Sequence, residues 1–145
     1  MKTQELVAVI KSLKSDATKL KALNRLLDDQ YVALINRDTD LLSTINEQAM
    51  ALIESVKTSQ AARDRLFNEW FDGPSNTVVS EFINMLPKEL RQIASPLTNE
   101  IRAFNKLCKA KNQRNGLLLS SQNELLKSVI GGNATNSYPD QLVKF

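Results

Sequence analysis

Apolar and polar positions alternate along this chain with the period of an α-helix. Leu6, Leu13, Leu20, Leu27, Leu34 and Leu41 stand seven residues apart, two helical turns, so they trace one slowly drifting stripe that needs a partner surface. Residues 1–72 contain neither Gly nor Pro, the residues that most often punctuate a helix. A single helix of that length would run about 108 Å at 1.5 Å per residue. The polar cluster Asn36-Arg37-Asp38-Thr39-Asp40 offers a turn instead, with Asp38 or Thr39 suited to cap the second helix, because their side-chain oxygens accept free backbone N–H groups. The pattern therefore predicts one helix over 3–36 and a second over 39–71, whose seam is Leu42, Ile45, Ala49, Leu52, Ile53, Val56, Leu66, Phe67 and Trp70.

Asp72-Gly73-Pro74-Ser75 closes this hairpin, since Gly suits a helix C-terminus and Pro cannot continue one. Residues 76–86 form a short amphipathic piece carrying Val78, Val79, Phe82, Ile83 and Leu86. Pro87 and Pro96 each fit the first turn of a helix, so the last long helix starts at 88, kinked at Pro96, or at 97. Its seam runs through Leu97, Ile101, Phe104 and Cys108, then Leu118, Leu119, Leu125, Leu126, Val129 and Ile130, and Gly131-Gly132-Asn133 ends it. Three rods of matching length bury one another's seams from end to end. The expected fold is all-α: an elongated, coiled-coil-like antiparallel bundle of three long helices plus a short connecting one. Residues 1–130 make a single domain in this reading, and 131–145 a mobile C-terminal tail.

Composition narrows the function. The 145 residues are 42% hydrophobic and 24% charged, with no run near the roughly 18 apolar residues of a membrane span. The N-terminal stretch is broken by Lys11, Lys14 and Asp16, so it holds no signal-peptide block, and a cytoplasmic protein without stable membrane insertion is expected. There is no His, which removes the commonest general base and metal ligand, and the single Cys108 sits at helical spacing with Ile101 and Phe104 as a small buried residue would. No enzyme, cofactor or metal is expected. Charge is uneven: residues 1–72 hold 10 basic and 11 acidic side chains, residues 73–145 hold 9 and 5. Arg102, Lys106, Lys109, Lys111 and Arg114 form an acid-free run. Without interleaved aromatic residues it reads as a solvated face rather than a nucleic-acid site.

One stretch breaks the apolar seam. The steps of three and four in the last helix pass through Lys111 or Asn112, then Asn115 and Gln122, and Gly116 adds roughly 1 kcal/mol of helix cost relative to Ala. Buried amides are costly unless hydrogen-bonded. Either these residues form polar layers that fix the bundle's register, or the stretch is left partly uncovered for another chain.

Here the chain resembles a known family. Asn112-Gln113-Arg114-Asn115-Gly116 followed by Leu117-Leu118-Leu119 is similar to the Asn-x-x-Asn-Gly-apolar signature of FlgN-type flagellar export chaperones. Leu26-Leu27, Ala33-Leu34, Asp38, Leu41, Leu52-Ile53 and Arg63 match that family's looser pattern, and Tyr138 resembles its tail Tyr. The family often has Gly beside the Asp, where this chain has Arg37, and Gly after the tail Tyr, where this chain has Pro139.

The resemblance implies a cytoplasmic type III export chaperone. Its clients would be the amphipathic C-terminal helices of hook-filament junction proteins of the FlgK and FlgL type, delivered to the cytoplasmic domain of an export gate of the FlhA type. The client surface would comprise Phe104, Cys108, Asn112, Asn115, Gly116, Leu118, Leu119, Gln122, Leu126 and Val129, with Tyr138 as the gate anchor. Covering an aggregation-prone apolar helix needs only helix pairing, not catalysis. The alternatives are a structural or adaptor coiled coil, which leaves the Asn-Gly interruption unexplained, and a small basic nucleic-acid-binding protein. Self-association is compatible with the seams.

Overall fold

A computed structural model describes residues 2–73 and 75–129. Among the described residues four helices follow the expected order: α1 (Thr3–Asn36), α2 (Thr39–Trp70), α3 (Ser75–Met85) and α4 (Lys88–Val129). Of the two starts open to the last helix, the first is observed. α4 passes through Pro96, which withholds a hydrogen bond from the carbonyl of Gln92, but both residues face solvent, where water supplies the missing donor. Beside the proline, Thr98 turns its hydroxyl back to donate to the Ser95 carbonyl at 2.8 Å. The expected tail at 131–145, with Tyr138, lies outside the described residues.

The α1–α2 turn is built by two residues. Arg37 adopts the left-handed conformation, φ 53°, which lets the Asp38 N–H reach back to the Ala33 carbonyl at 3.0 Å and close the end of α1. Asp38 then caps α2, its Oδ1 accepting from the Leu41 N–H at 3.1 Å. The heptad leucines divide at this turn. Leu13, Leu20, Leu27 and Leu34 are buried, whereas Leu41 falls in the first turn of α2 and is 46% exposed.

α1 is the central rod. It packs on α2 running antiparallel and on α4 running parallel, while α2 and α4 bring no Cα atoms within 8 Å of each other. Among the described residues the gap between them is filled only at the base, by α3. There Val78, Phe82 and Leu86 join Val9, Ile10, Leu13, Phe67 and Ala94, and the Phe82 ring lies 5.0 Å from that of Phe67 and stacks on Trp70 at 6.1 Å. A middle core of Leu20, Leu23, Leu27, Ala49, Ile53 and Cys108 and a tip core of Ala33, Leu34, Leu42, Ile45 and Leu119 complete the rod. No described helix is long and apolar enough to cross a membrane.

Candidate helix-binding site

The amides that interrupt the α4 seam lie against the leucine ladder of α1. Cys108 Sγ donates to the Leu20 carbonyl at 3.7 Å, Asn115 Nδ2 to the Leu27 carbonyl at 2.8 Å, and Gln122 Nε2 to the Leu34 carbonyl at 2.8 Å. Each pair is separated by 88 residues, so one heptad register repeats three times along the seam. A helical carbonyl already accepts from its own helix, and its second lone pair takes the incoming donor. Slipping α4 by one residue would remove every partner at once, which is how polar layers specify a register.

Asn115 is fully buried and donates a second bond to Gln30 Oε1 at 2.8 Å; Gln30 Nε2 in turn donates to Asn46 Oδ1 on α2 at 2.7 Å. One amide chain therefore ties α4 to α1 and α1 to α2. Arg114 secures it from outside: its Nε donates to Asn115 Oδ1 at 3.1 Å and its guanidinium sits 4.1 Å above the Tyr31 ring. Lys111 and Arg114 both pair with Asp28, at 2.7 and 3.3 Å, and the Lys111 hydrogen bond first of all holds the Asp28 carboxyl below its ordinary range. Cys108 is fully buried, and desolvation pushes its thiol up to about 11.

The ten candidate client-binding residues thus fall into groups. Cys108, Asn115, Leu119 and Gln122 are buried, the three polar ones bonded to α1. Phe104, Asn112, Gly116, Leu118 and Leu126 are half-buried, and the side chain of Val129 lies outside the described residues. Asn112 Oδ1 has no hydrogen-bond partner among the described residues, nor has Oδ1 of Asn24, its counterpart in the same register. Leu125, placed in the seam by its spacing, is 55% exposed instead, because it lies to the side of the residues that face α1. Leu107 at 47% and Leu117 at 71% exposure, which sequence reasoning did not count among the site residues, are open as well. Sequence reasoning also missed Gln30 and Asp16, both fully buried. Their signal was present, because Val9, Asp16, Leu23 and Gln30 form a second heptad stripe beside the leucines.

Exposed large apolar residues occur on all four helices, four of them on α4: Ile93, Leu107, Leu117 and Leu125. A helical rod with its register locked internally and apolar residues left open is of the kind that pairs with further helices. The family model described as FlgN protein matches residues 1–131, and the chain belongs to the FlgN family, whose members are flagellar export chaperones rather than enzymes. No curated protein and no solved structure matches the chain.

Proposed function

We propose that this chaperone works in the cytoplasm and covers the amphipathic C-terminal helix of a hook-filament junction protein of the FlgK or FlgL type with the open apolar side of α4. The observation that carries this reading is the exposure of Leu107 and Leu125, which share one face of the helix bearing the Asn112–Leu119 signature, with Phe104 and Leu118 half-covered beside them. An amphipathic client helix laid along Phe104, Leu107, Leu118 and Leu125 removes apolar surface of both partners from water, which is worth roughly 25 cal/mol per Å². In this arrangement Asn115, Gln122, Cys108 and Leu119 act indirectly, holding α4 in register so that the open residues form one stripe. By helical position Gly116 and Asn112 lie toward the opposite side of α4 from Leu107 and Leu125, so in this arrangement neither borders the client stripe.

The double variant Leu107→Glu with Leu125→Glu tests the reading, because both side chains are about half exposed and belong to none of the three cores. Calorimetric titration with the C-terminal segment of a junction protein is expected to show affinity falling by at least about tenfold, or 1.4 kcal/mol, with helicity unchanged. Wild-type affinity in that variant would reject α4 as the client surface. Delivery is assigned to Tyr138, outside the described residues: Tyr138→Ala should leave client binding intact and reduce junction-protein export, and normal export would remove that assignment.

A further inference from the structure

We infer that the groove between α2 and α4 is a second docking site, shaped for an amphipathic helix of a protein partner whose apolar stripe is flanked by acidic residues. The fold itself shows what fills this gap. At the base α3 lies between α2 and α4 as a helix, and above it no described residue fills the same space. A cavity of about 190 Å³ begins on Val79 and Phe82 of α3 and shares Val56, Gln60 and Asn105 with a further cavity of about 360 Å³ whose floor is Leu20 and Ile53. Together they form a continuous apolar trough along the central rod, in the position of the missing fourth helix of a bundle.

The rim supplies the charge preference. Lys57 stands on the α2 wall and Lys106 and Lys109 on the α4 wall of the larger cavity; Arg102 and Asp64 edge the smaller. Among the described residues the ion pairs are Arg63 with Asp16 and Asp28 with Lys111 and Arg114, so the three rim lysines have no acidic partner. Like charges facing each other across an apolar trough disfavour its closure, and acids flanking an incoming stripe relieve that repulsion. Asp16 also lines the smaller cavity; Arg63 holds its Oδ2, and its buried Oδ1 has no partner among the described residues, leaving an acceptor for one donor side chain of the occupant. By helical position Asn105, Lys106 and Lys109 lie on the opposite flank of α4 from Leu107 and Leu125. This site is therefore independent of the client surface proposed above.

The test titrates the full chain, isotopically labelled for NMR, with synthetic amphipathic peptides of about 18 residues, enough to span the trough, whose α2 wall from Ile53 to Phe67 runs about 21 Å at 1.5 Å per residue. One has a Leu/Ile stripe with Glu flanks, one the same stripe with Lys flanks, and one is the scrambled acidic sequence. The Glu-flanked peptide is expected to shift residues 53–60 and 105–109 and to bind at least about tenfold more tightly than the Lys-flanked one at low salt, with the gap narrowing as salt is added. The scrambled peptide should not bind. The triple variant Lys57→Glu, Lys106→Glu, Lys109→Glu should reverse the preference. Equal affinity for both flanks, shifts confined to Leu107 and Leu125, binding of the scrambled peptide, or displacement of the Glu-flanked peptide by a single-stranded oligonucleotide would each overturn the inference.

Discussion

The two seams of α1 hold their neighbours by different chemistry. Toward α4, side chains donate to backbone carbonyls of the leucine ladder, a set of acceptors that no substitution can delete. Toward α2, the polar contacts are between side chains: Arg63 reaches Asp16 at 2.5 Å and Ser12 at 2.7 Å, Lys19 reaches Ser55 at 2.5 Å, and Gln30 meets Asn46. The α4 seam thus fixes a parallel register through backbone acceptors, supplemented by the side-chain pairs of Asn115 with Gln30 and of Lys111 and Arg114 with Asp28. The polar contacts of the α2 seam are instead between side chains, and each strands a group when its partner is lost. Register in this bundle is specified twice, once against the backbone and once against matched residues.

Breaking the α2 seam should have the larger effect. Arg63→Met leaves the Asp16 carboxylate buried and unpaired, a loss of about 3–5 kcal/mol for such a pair, read from the urea midpoint. Adding Asp16→Leu to that variant should restore most of the loss; no recovery would show that the pair is not the source of the penalty. Breaking the α4 seam comes next. Asn115→Ala strands Gln30 Oε1 and should cost about 2 kcal/mol, while the Leu27 carbonyl keeps its own helical bond; the same urea midpoint reads it.

The turn joining α1 to α2 allows a change of opposite sign. Arg37 carries the steric penalty of a left-handed residue that Gly escapes, so Arg37→Gly should raise thermal stability by about 1 kcal/mol with both seams untouched. The smallest effect concerns the exposed rim of the α4 seam. Asp28 has a depressed folded pKa, so its contribution is present above the ordinary carboxylate range and lost as pH falls through the folded value. Asp28→Asn should flatten the acid limb of the stability profile below about pH 4, only slightly because the pair is solvent-screened.

The fold was legible because heptad spacing, the Asn36–Asp40 turn and the Gly73 break are local signals that tertiary packing had no reason to override. The cap could be narrowed to Asp38 or Thr39 from side chains alone, and the Leu41 N–H bond to Asp38 decides between them, while Arg37 marked a site where the family's Gly has a conformational cause visible only in the backbone angle. The role of the amides was not legible. Asn115 at a seam position fits an open face and a buried layer equally, and only the 88-residue register, which depends on how α4 lies against α1, decides that its donors reach Leu27 and Gln30. The basic run from 102 to 114 reads as one face in the sequence; the fold divides it, sending Lys111 and Arg114 to Asp28 and Lys106 and Lys109 to the α2–α4 groove. Leu107 lies beside the α4 seam and Leu125 belongs to it by spacing, and the exposure of both is decided only by where the neighbouring helices lie.

The central claim is that the client lands on the open leucines while both seams stay closed. Methyl NMR of the full chain with labelled leucines, titrated with a junction protein's C-terminal segment, tests it most directly. Shifts are expected at Leu107, Leu118 and Leu125, with Leu20, Leu27 and Leu34 unmoved. Large shifts along Leu20, Leu27 and Leu34 would mean that α4 leaves α1 to receive the client, contradicting a register-locked scaffold.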